Sequence, residues 1–310
     1  MRDRVKRLRR WCTQHPKAIT LSGSVIVGGA VAVGVAGKQG DFASAVGDAP
    51  IWILSVAVCL HLVWLVARSE AWHVCVGAAG GTVGRRRLYR AASVGYLGNL
   101  FNAQFGLGVR IAALRRSAPA ESPEPAVLVA AELPIVLVEG ALAALMSFTL
   151  IAPLGVPWWV PLVALAVMGA AIAGGGHLAR DRRRGAWRGL AALRGLANRN
   201  RLIALVVLAV SIQVARNWFL LHAVGVDVSV LDAVALLIAM AVVGLLPIGP
   251  SAGAATTVVI LGANGIAAAA AAGALLTLTG VLATLAFAGW ALVDRMRPAS
   301  AAVPLPAPSA

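Results

Sequence analysis

Four ionisable side chains of this 310-residue chain sit inside long apolar runs: His61, Glu132, Glu139 and Arg216. A charged group at the hydrocarbon centre costs about 2.5–3.5 kcal/mol on insertion scales, so each must face a protein interior or a wet cavity. Glu132 and Glu139 are seven residues apart, which puts them on one helical face about 10 Å apart along the axis. Pro134 between them predicts a kink and a freed carbonyl. Gln213, Arg216 and Asn217 fall at i, i+3 and i+4 and form a polar stripe on another run. At 1.5 Å per residue, Glu139 and Arg216 each lie roughly 20 Å from the basic end of their spans. Opposite charges at one depth predict a pair, which serves either a polar track or the fixing of helix register. Glu132, about 9 Å in by the same count, is level with His61. A track of this kind suits a charged head group whose tails stay in lipid.

The polar stretch Ser93–Arg116 joins this set. Gly95, Gly98, Gly106 and Gly108 surround Asn99, Asn102 and Gln104, too polar for an ordinary span and too apolar for a solvated loop. Arginines flank it on both sides, with Arg85, Arg86, Arg87 and Arg90 before and Arg110, Arg115 and Arg116 at its end. A segment that dips into a bilayer and returns to the same face satisfies all of this, its interrupted backbone sheltered by protein.

The elements that must position these residues are membrane spans. The chain is 60% hydrophobic and 13% charged, with mean hydropathy +0.84, whereas soluble domains carry about 25% charged residues. The net charge of +15 is placed for a membrane rather than for nucleic acid. Residues 1–17, 68–116 and 180–201 hold 23 of the 27 Lys and Arg, each block abutting an apolar run, as cytoplasmic segments do. Three cysteines, Cys12, Cys59 and Cys75, predict no structural disulfide.

In order, a basic cytoplasmic N-terminus (1–17) precedes a run over Ala18–Ala36, which reads as a span although its start resembles a signal peptide. A second span covers Pro50–Ala67 and an interfacial helix Ala71–Gly84. The re-entrant candidate 91–110 follows, then spans over Ala126–Ala152, a fourth ending near His177, and a fifth over Leu202–His222. The basic loop 180–201 between the last two reads as an amphipathic surface helix, with Trp187, Leu190, Leu193 and Leu196 on its apolar side. A sixth span over Leu231–Leu246 runs into Pro247, Gly249 and Pro250, which cannot continue a helix, so 247–264 is a second re-entrant or broken element. Ile266–Val293 closes the single transmembrane domain 18–293, and 294–310 is a disordered Pro/Ala tail. The fold class is all-α: a polytopic membrane helix bundle of about seven spans (six to eight) with two re-entrant or broken-helix elements. Whether 247–264 crosses or re-enters, and hence the side of the C-terminus, stays open in the sequence.

At Phe101–Arg110 and Leu246–Gly253 the chain resembles the flippase-like family of the lysylphosphatidylglycerol synthase transmembrane region. That family's run reads leucine, proline, small, arginine, apolar, glycine, glutamate, two apolar residues and arginine. Gly106 and Arg110 stand at its glycine and final arginine, while Asn102, Gln104 and Leu107 replace its proline, first arginine and glutamate. Glu132 fits the glutamate of the next span, with Leu133 and Val136 where an arginine and an aspartate would be. The proline-rich element is kept as Leu246-Pro247-Ile248-Gly249-Pro250, Ser251 and Ala252 standing for its glycines.

The resemblance implies a lipid-translocating domain in the cell membrane with a cytoplasmic N-terminus. Its expected cargo is a phospholipid or polyprenyl-phosphate lipid, with Arg110 holding a phosphate and Arg115 and Arg116 at the mouth. The polar track is then Arg110, Glu132, Glu139, Arg216, Gln213, Asn217, Asn102, Gln104 and His61, with Gly106, Pro247 and Pro250 as structural positions. Expected partners are membrane lipids, anionic ones above all, and a cell-envelope synthase. A non-catalytic partner of such a synthase, or an enzyme acting on lipid-linked sugars, is the competing reading. No P-loop or Rossmann fingerprint and no nucleophile elbow is present, so neither a cofactor nor catalysis is expected. His73-Val74-Cys75 and Cys12 with His15 lack further ligands, so no metal site is expected.

Overall fold

The structure, a computed structural model, describes residues 37–100, 103–151, 155–180, 185–193, 195–244, 257 and 266–296. The expected span over Ala18–Ala36, the basic head before it, Asn102, the broken element with Pro247 and Pro250, and most of the C-terminal tail lie outside them. The described residues form helices and no strand. These are α1 (Gln39–Gly47), α2 (Ile51–Ala78), α3 (Arg85–Asn99), α4 (Ala103–Ser117), α5 (Pro125–Ala130), α6 (Leu133–Met146), α7 (Trp159–Arg180), α8 (Leu196–Ala223), α9 (Val230–Gly244) and α10 (Ile266–Met296). Two 3-10 segments, Ser147–Leu150 and Gly185–Leu193, complete the set.

Four of these runs are long and apolar enough to cross a membrane: Ile51–Ala78, Pro125–Leu150, Leu196–Ala223 and Ala267–Met296. Trp159–Gly175 and Val230–Ala241 are shorter apolar helices. The chain is a polytopic helical membrane protein.

Helix ends are where the structure departs from the sequence reading, and the cause is local. α2 runs on through Arg68 as one helix, where a span to Ala67 and a separate interfacial helix were expected. It stops only at Gly80, whose φ of +95° suits a residue without Cβ. There Gly80 N–H donates to the Gly77 carbonyl and Gly81 N–H to Val76, a Schellman cap. α8 ends in the same way at Gly225, φ +73°, and it begins six residues before the expected Leu202. Of the loop 180–201, the described stretch Gly185–Leu193 is a 3-10 helix rather than the expected surface α-helix. It is drawn inward, with Leu190 and Ala192 fully buried and Gly189 against the backbone of Ala130 and Ala131, where a Cβ would not fit.

Two apolar clusters define two ends of the bundle. One joins the start of α2, the end of α8, α9 and the start of α10. The other joins the end of α2, α3, α4, α5, the 3-10 segment and the start of α8. The second end carries Arg85, Arg86, Arg87, Arg115, Arg116, Arg188, Arg199 and Arg201, and is called the basic end below. Near the opposite end lie Lys38, Asp41, Asp48, Asp227 and Asp232.

α3 and α4 form the hairpin that the glycine-rich stretch predicted, but by a different use of its glycines. They do not interrupt the backbone; both helices are regular over 15 residues. They let the helices touch: a Cβ on Gly95 would lie 2.6 Å from Arg110 Cβ, and one on Gly98 would lie 2.8 Å from Gly106 Cα. These two contacts make the helices antiparallel, so both hairpin ends return to the basic end. Fifteen residues rise about 22 Å, short of a hydrocarbon core of about 30 Å. Neither helix of the hairpin is long enough to cross by itself.

Ion pairs tie the basic end together. Glu70 on α2 accepts from Arg85 of α3 at 2.8 Å and from Arg201 of α8, and Tyr89 Oη donates to it at 2.7 Å. Burial, and then the hydrogen bond to Glu70, push the Tyr89 phenol above its ordinary range. Arg90 pairs with Asp294 at 2.8 Å, near the end of α10. That contact places the end of α10 beside the arginines of α3, at the basic end.

Candidate functional site

Pro134 creates the first feature of the site. Lacking an N–H, it cannot bond to the carbonyl of Ala130, and the run breaks there into α5 and α6, with Pro134 in the first turn of the second piece. The expected kink is this interruption, and Glu132 stands in it at the cap of α6. Its carboxylate accepts from Arg68 of α2 at 2.9 Å through Oε1 and from Arg110 of α4 through Oε2. Arg68 also pairs with Glu139 Oε1 at 2.9 Å. Two arginines and two glutamates therefore form one chain: Arg110, Glu132, Arg68, Glu139.

The chain lines a cavity of about 270 Å³ together with Trp64, Gly95, Tyr96, Asn99, Gly106 and Leu107. Arg110 is held from behind by a cation–π contact, its Cζ 4.1 Å from the centroid of the fully buried Trp72 ring. Gly106 is required because a Cβ there would overlap the Asn99 side chain and the Gly95 carbonyl. At about 30 Å³ per water, the volume holds roughly nine waters, room for a polar head group and not for acyl chains. Counted from Pro125, Glu132 lies about 10 Å and Glu139 about 21 Å from the basic end. Glu139 is the most open of the four, with a third of its side chain exposed.

A second polar group sits in the other half of the bundle. Arg216 Nη2 donates to Thr279 Oγ1 at 2.7 Å and to the Leu276 carbonyl, both on α10, and Nη1 to Gln213 Oε1 at 3.4 Å. Gln213 and Arg216 lie beside the His61 ring, and His61 stacks on Trp64 with centroids 4.9 Å apart.

The anticipated polar track therefore falls into two parts. Arg110, Glu132, Glu139 and Gly106 meet in the cavity; Arg216, Gln213, Asn217 and His61 lie with the second group. The expected Glu139–Arg216 pair does not form. α8 starts earlier than foreseen, so Arg216 is about 30 Å from the basic end rather than 20, and Glu139 turns to Arg68 instead. His61 is not level with Glu132 for the same reason, since α2 continues eleven residues past Ala67. Gln104 lies in α4, but its side chain, like Asn102, Pro247 and Pro250, is outside the described residues.

Arg68, Tyr96 and Trp64 are additions of the structure, while Asn99 comes from the polar stretch already singled out. One signal could have found Arg68: it follows His61 by seven residues, the same spacing that put Glu132 and Glu139 on one face. In the sequence it stands first in the basic block 68–116, where an arginine after an apolar run ordinarily ends a span.

Among comparisons with known proteins, the family model of the Lysylphosphatidylglycerol synthase TM region matches residues 21–296. No curated protein and no solved structure matches the chain.

Proposed function

The chain belongs to the Lysylphosphatidylglycerol synthase TM region family, and from that membership and the charged cavity we propose that it binds the head group of a phospholipid or polyprenyl-phosphate lipid and passes it across the cytoplasmic membrane. The observation that carries the reading is the Arg110–Glu132–Arg68–Glu139 chain around a head-group-sized void within the depth of the spans. Four charges that only braced helices would be expected to close on one another without leaving space between them.

The side chains of the cavity sum to zero charge, so an entering phosphate must displace a carboxylate from an arginine. Glu139 is the one to yield, being the most exposed and sharing its single arginine with Glu132. Arg68 and Arg110 then present forked N–H donors to phosphate oxygens. The tails stay in the bilayer while the head occupies the cavity, and no covalent step is needed. The basic end faces the cytoplasm on this reading, since cytoplasmic segments carry the excess of arginine. Its surface arginines draw anionic lipids at roughly 1 kcal/mol each.

The test is a reconstitution. Wild-type protein in vesicles should move a fluorescent short-chain phosphatidylglycerol between leaflets faster than empty vesicles do, and Arg110→Gln and Arg68→Gln should slow it by about tenfold or more. Wild-type movement no faster than in protein-free vesicles would defeat the reading and favour a non-catalytic partner of a cell-envelope synthase. In that case the four charges would be a brace for helix register.

A further inference from the structure

The second polar group contains a cation without a counter-charge. Arg216 is 5% exposed, and all its acceptors are neutral: a carbonyl, a hydroxyl and an amide oxygen. No described carboxylate lies within ion-pair distance of it. Of the chain's 12 acidic residues only Asp3 and Asp181 fall outside the described residues, and both stand in sequence beside arginines. The stretch 245–265 contains no acid at all. An isolated buried charge is costly in a low-dielectric interior, so the site is electrostatically incomplete.

The unused valences point the same way. Arg216 Nε, Asn217 Nδ2 and His61 Nδ1 are buried with no hydrogen-bond partner. The first two are donors, and the imidazole nitrogen can be one. Asn217 and His61 are themselves at least nine-tenths buried. Gly280 of α10 faces the same side chains, and a Cβ added there would meet Arg216 Nη2 at 3.4 Å and His61 Nε2 at 3.8 Å, ordinary contact distances. A buried cation with no counter-charge, among donors with no acceptor, is the converse of the cavity at Arg68, where each charge has its opposite.

We propose that Arg216, His61 and Asn217 form a second station that takes a phosphate-type anion. His61 and Arg68 share one face of α2 about 10 Å apart, and Trp64 lines the cavity while stacking on His61. The two stations are therefore neighbours along one line. A phosphate released from Arg68 has a second cationic position one short step further from the basic end. That the anion is a lipid phosphate rests on the function proposed above; the existence of the station does not.

The test uses the full chain, purified in detergent and stripped of lipid. Dioctanoyl phosphatidylglycerol and inorganic phosphate are titrated separately, with bound molecules counted by native mass spectrometry and folding followed by thermal unfolding. Wild type should bind the short lipid in two events. Arg216→Gln should weaken one of them by about tenfold or more, and Arg110→Gln the other. Gly280→Val keeps the arginine but crowds Arg216 Nη2 and His61 Nε2, and should remove the same event as Arg216→Gln; it decides the matter if Arg216→Gln does not fold. Loss of inorganic phosphate binding alone in these variants would support the station with a free anion as its occupant. Folded Gly280→Val and Arg216→Gln proteins that bind both probes as wild type does would overturn it. Absence of lipid movement by wild type, with phosphate binding still dependent on Arg216, would defeat the translocation reading and leave the station standing.

Discussion

Arg68 bridges two glutamates, and a double-mutant cycle on Arg68 and Glu139 measures what that bridge does. At 2.9 Å and an effective dielectric of about 20, the Coulomb attraction of one pair is about 6 kcal/mol before desolvation is charged against it. Breaking one partner of a buried pair costs about 3–5 kcal/mol net. Arg68→Met leaves Glu132 with Arg110 but strips Glu139 of its only described partner, and partial exposure of Glu139 softens the penalty, so about 3 kcal/mol is expected. Glu139→Gln leaves Arg68 paired with Glu132 and should cost only about 1–2 kcal/mol. The double variant should be less destabilised than the two singles added together, by about 1–2 kcal/mol. Unfolding in matched micelles, by heat or by titrated denaturing detergent, reads the stability terms. Additivity within about 0.5 kcal/mol would show that the two side chains are not coupled and would refute the reasoning from the pair. The same variants separate support from function: the double variant should stay folded yet lose lipid movement. If it moved lipid at the wild-type rate, these charges would have no part in handling the head group.

Three further outcomes follow from the geometry. Gly106→Ala should destabilise by about 1–3 kcal/mol because its Cβ meets the Gly95 carbonyl. Gly108→Ala, which meets nothing, should be neutral or up to about 1 kcal/mol stabilising in thermal unfolding; equal effects would contradict the close hairpin. In a cysteine-free background, Arg86→Cys and Arg295→Cys should react with an impermeant thiol reagent from one side of the membrane and Asp227→Cys from the other. Labelling of positions 86 and 295 from opposite sides would overturn the placement of α10. Tyr89 is held protonated by burial and by Glu70, so its stabilisation is complete below the unfolded phenol value near 10 and is lost as pH rises through the higher folded value. Tyr89→Phe should accordingly lower stability by about 1 kcal/mol at neutral pH and narrow its alkaline fall; an unchanged alkaline unfolding profile would count against that hydrogen bond.

Much of this molecule was written in local chemistry. Apolar run length and clustered arginines gave a helical membrane protein, because lipid leaves the backbone no other way to satisfy its hydrogen bonds. Glu132 and Glu139 declared an interior polar site, since a carboxylate cannot face acyl chains, and the glycines of Ser93–Arg116 declared a hairpin returning to its own side. Which charge meets which was not legible. Pairing depends on the height and rotation of each helix relative to its neighbours, and a few residues' error in a helix end moves a side chain by several ångströms. The glycine caps at Gly80 and Gly225 and the early start of α8 set those heights. The contacts of Gly95, Gly98 and Gly106 set how closely α4 approaches, and so bring Arg110 to Glu132. Only the packed bundle gives Arg68 both glutamates and leaves Arg216 with none.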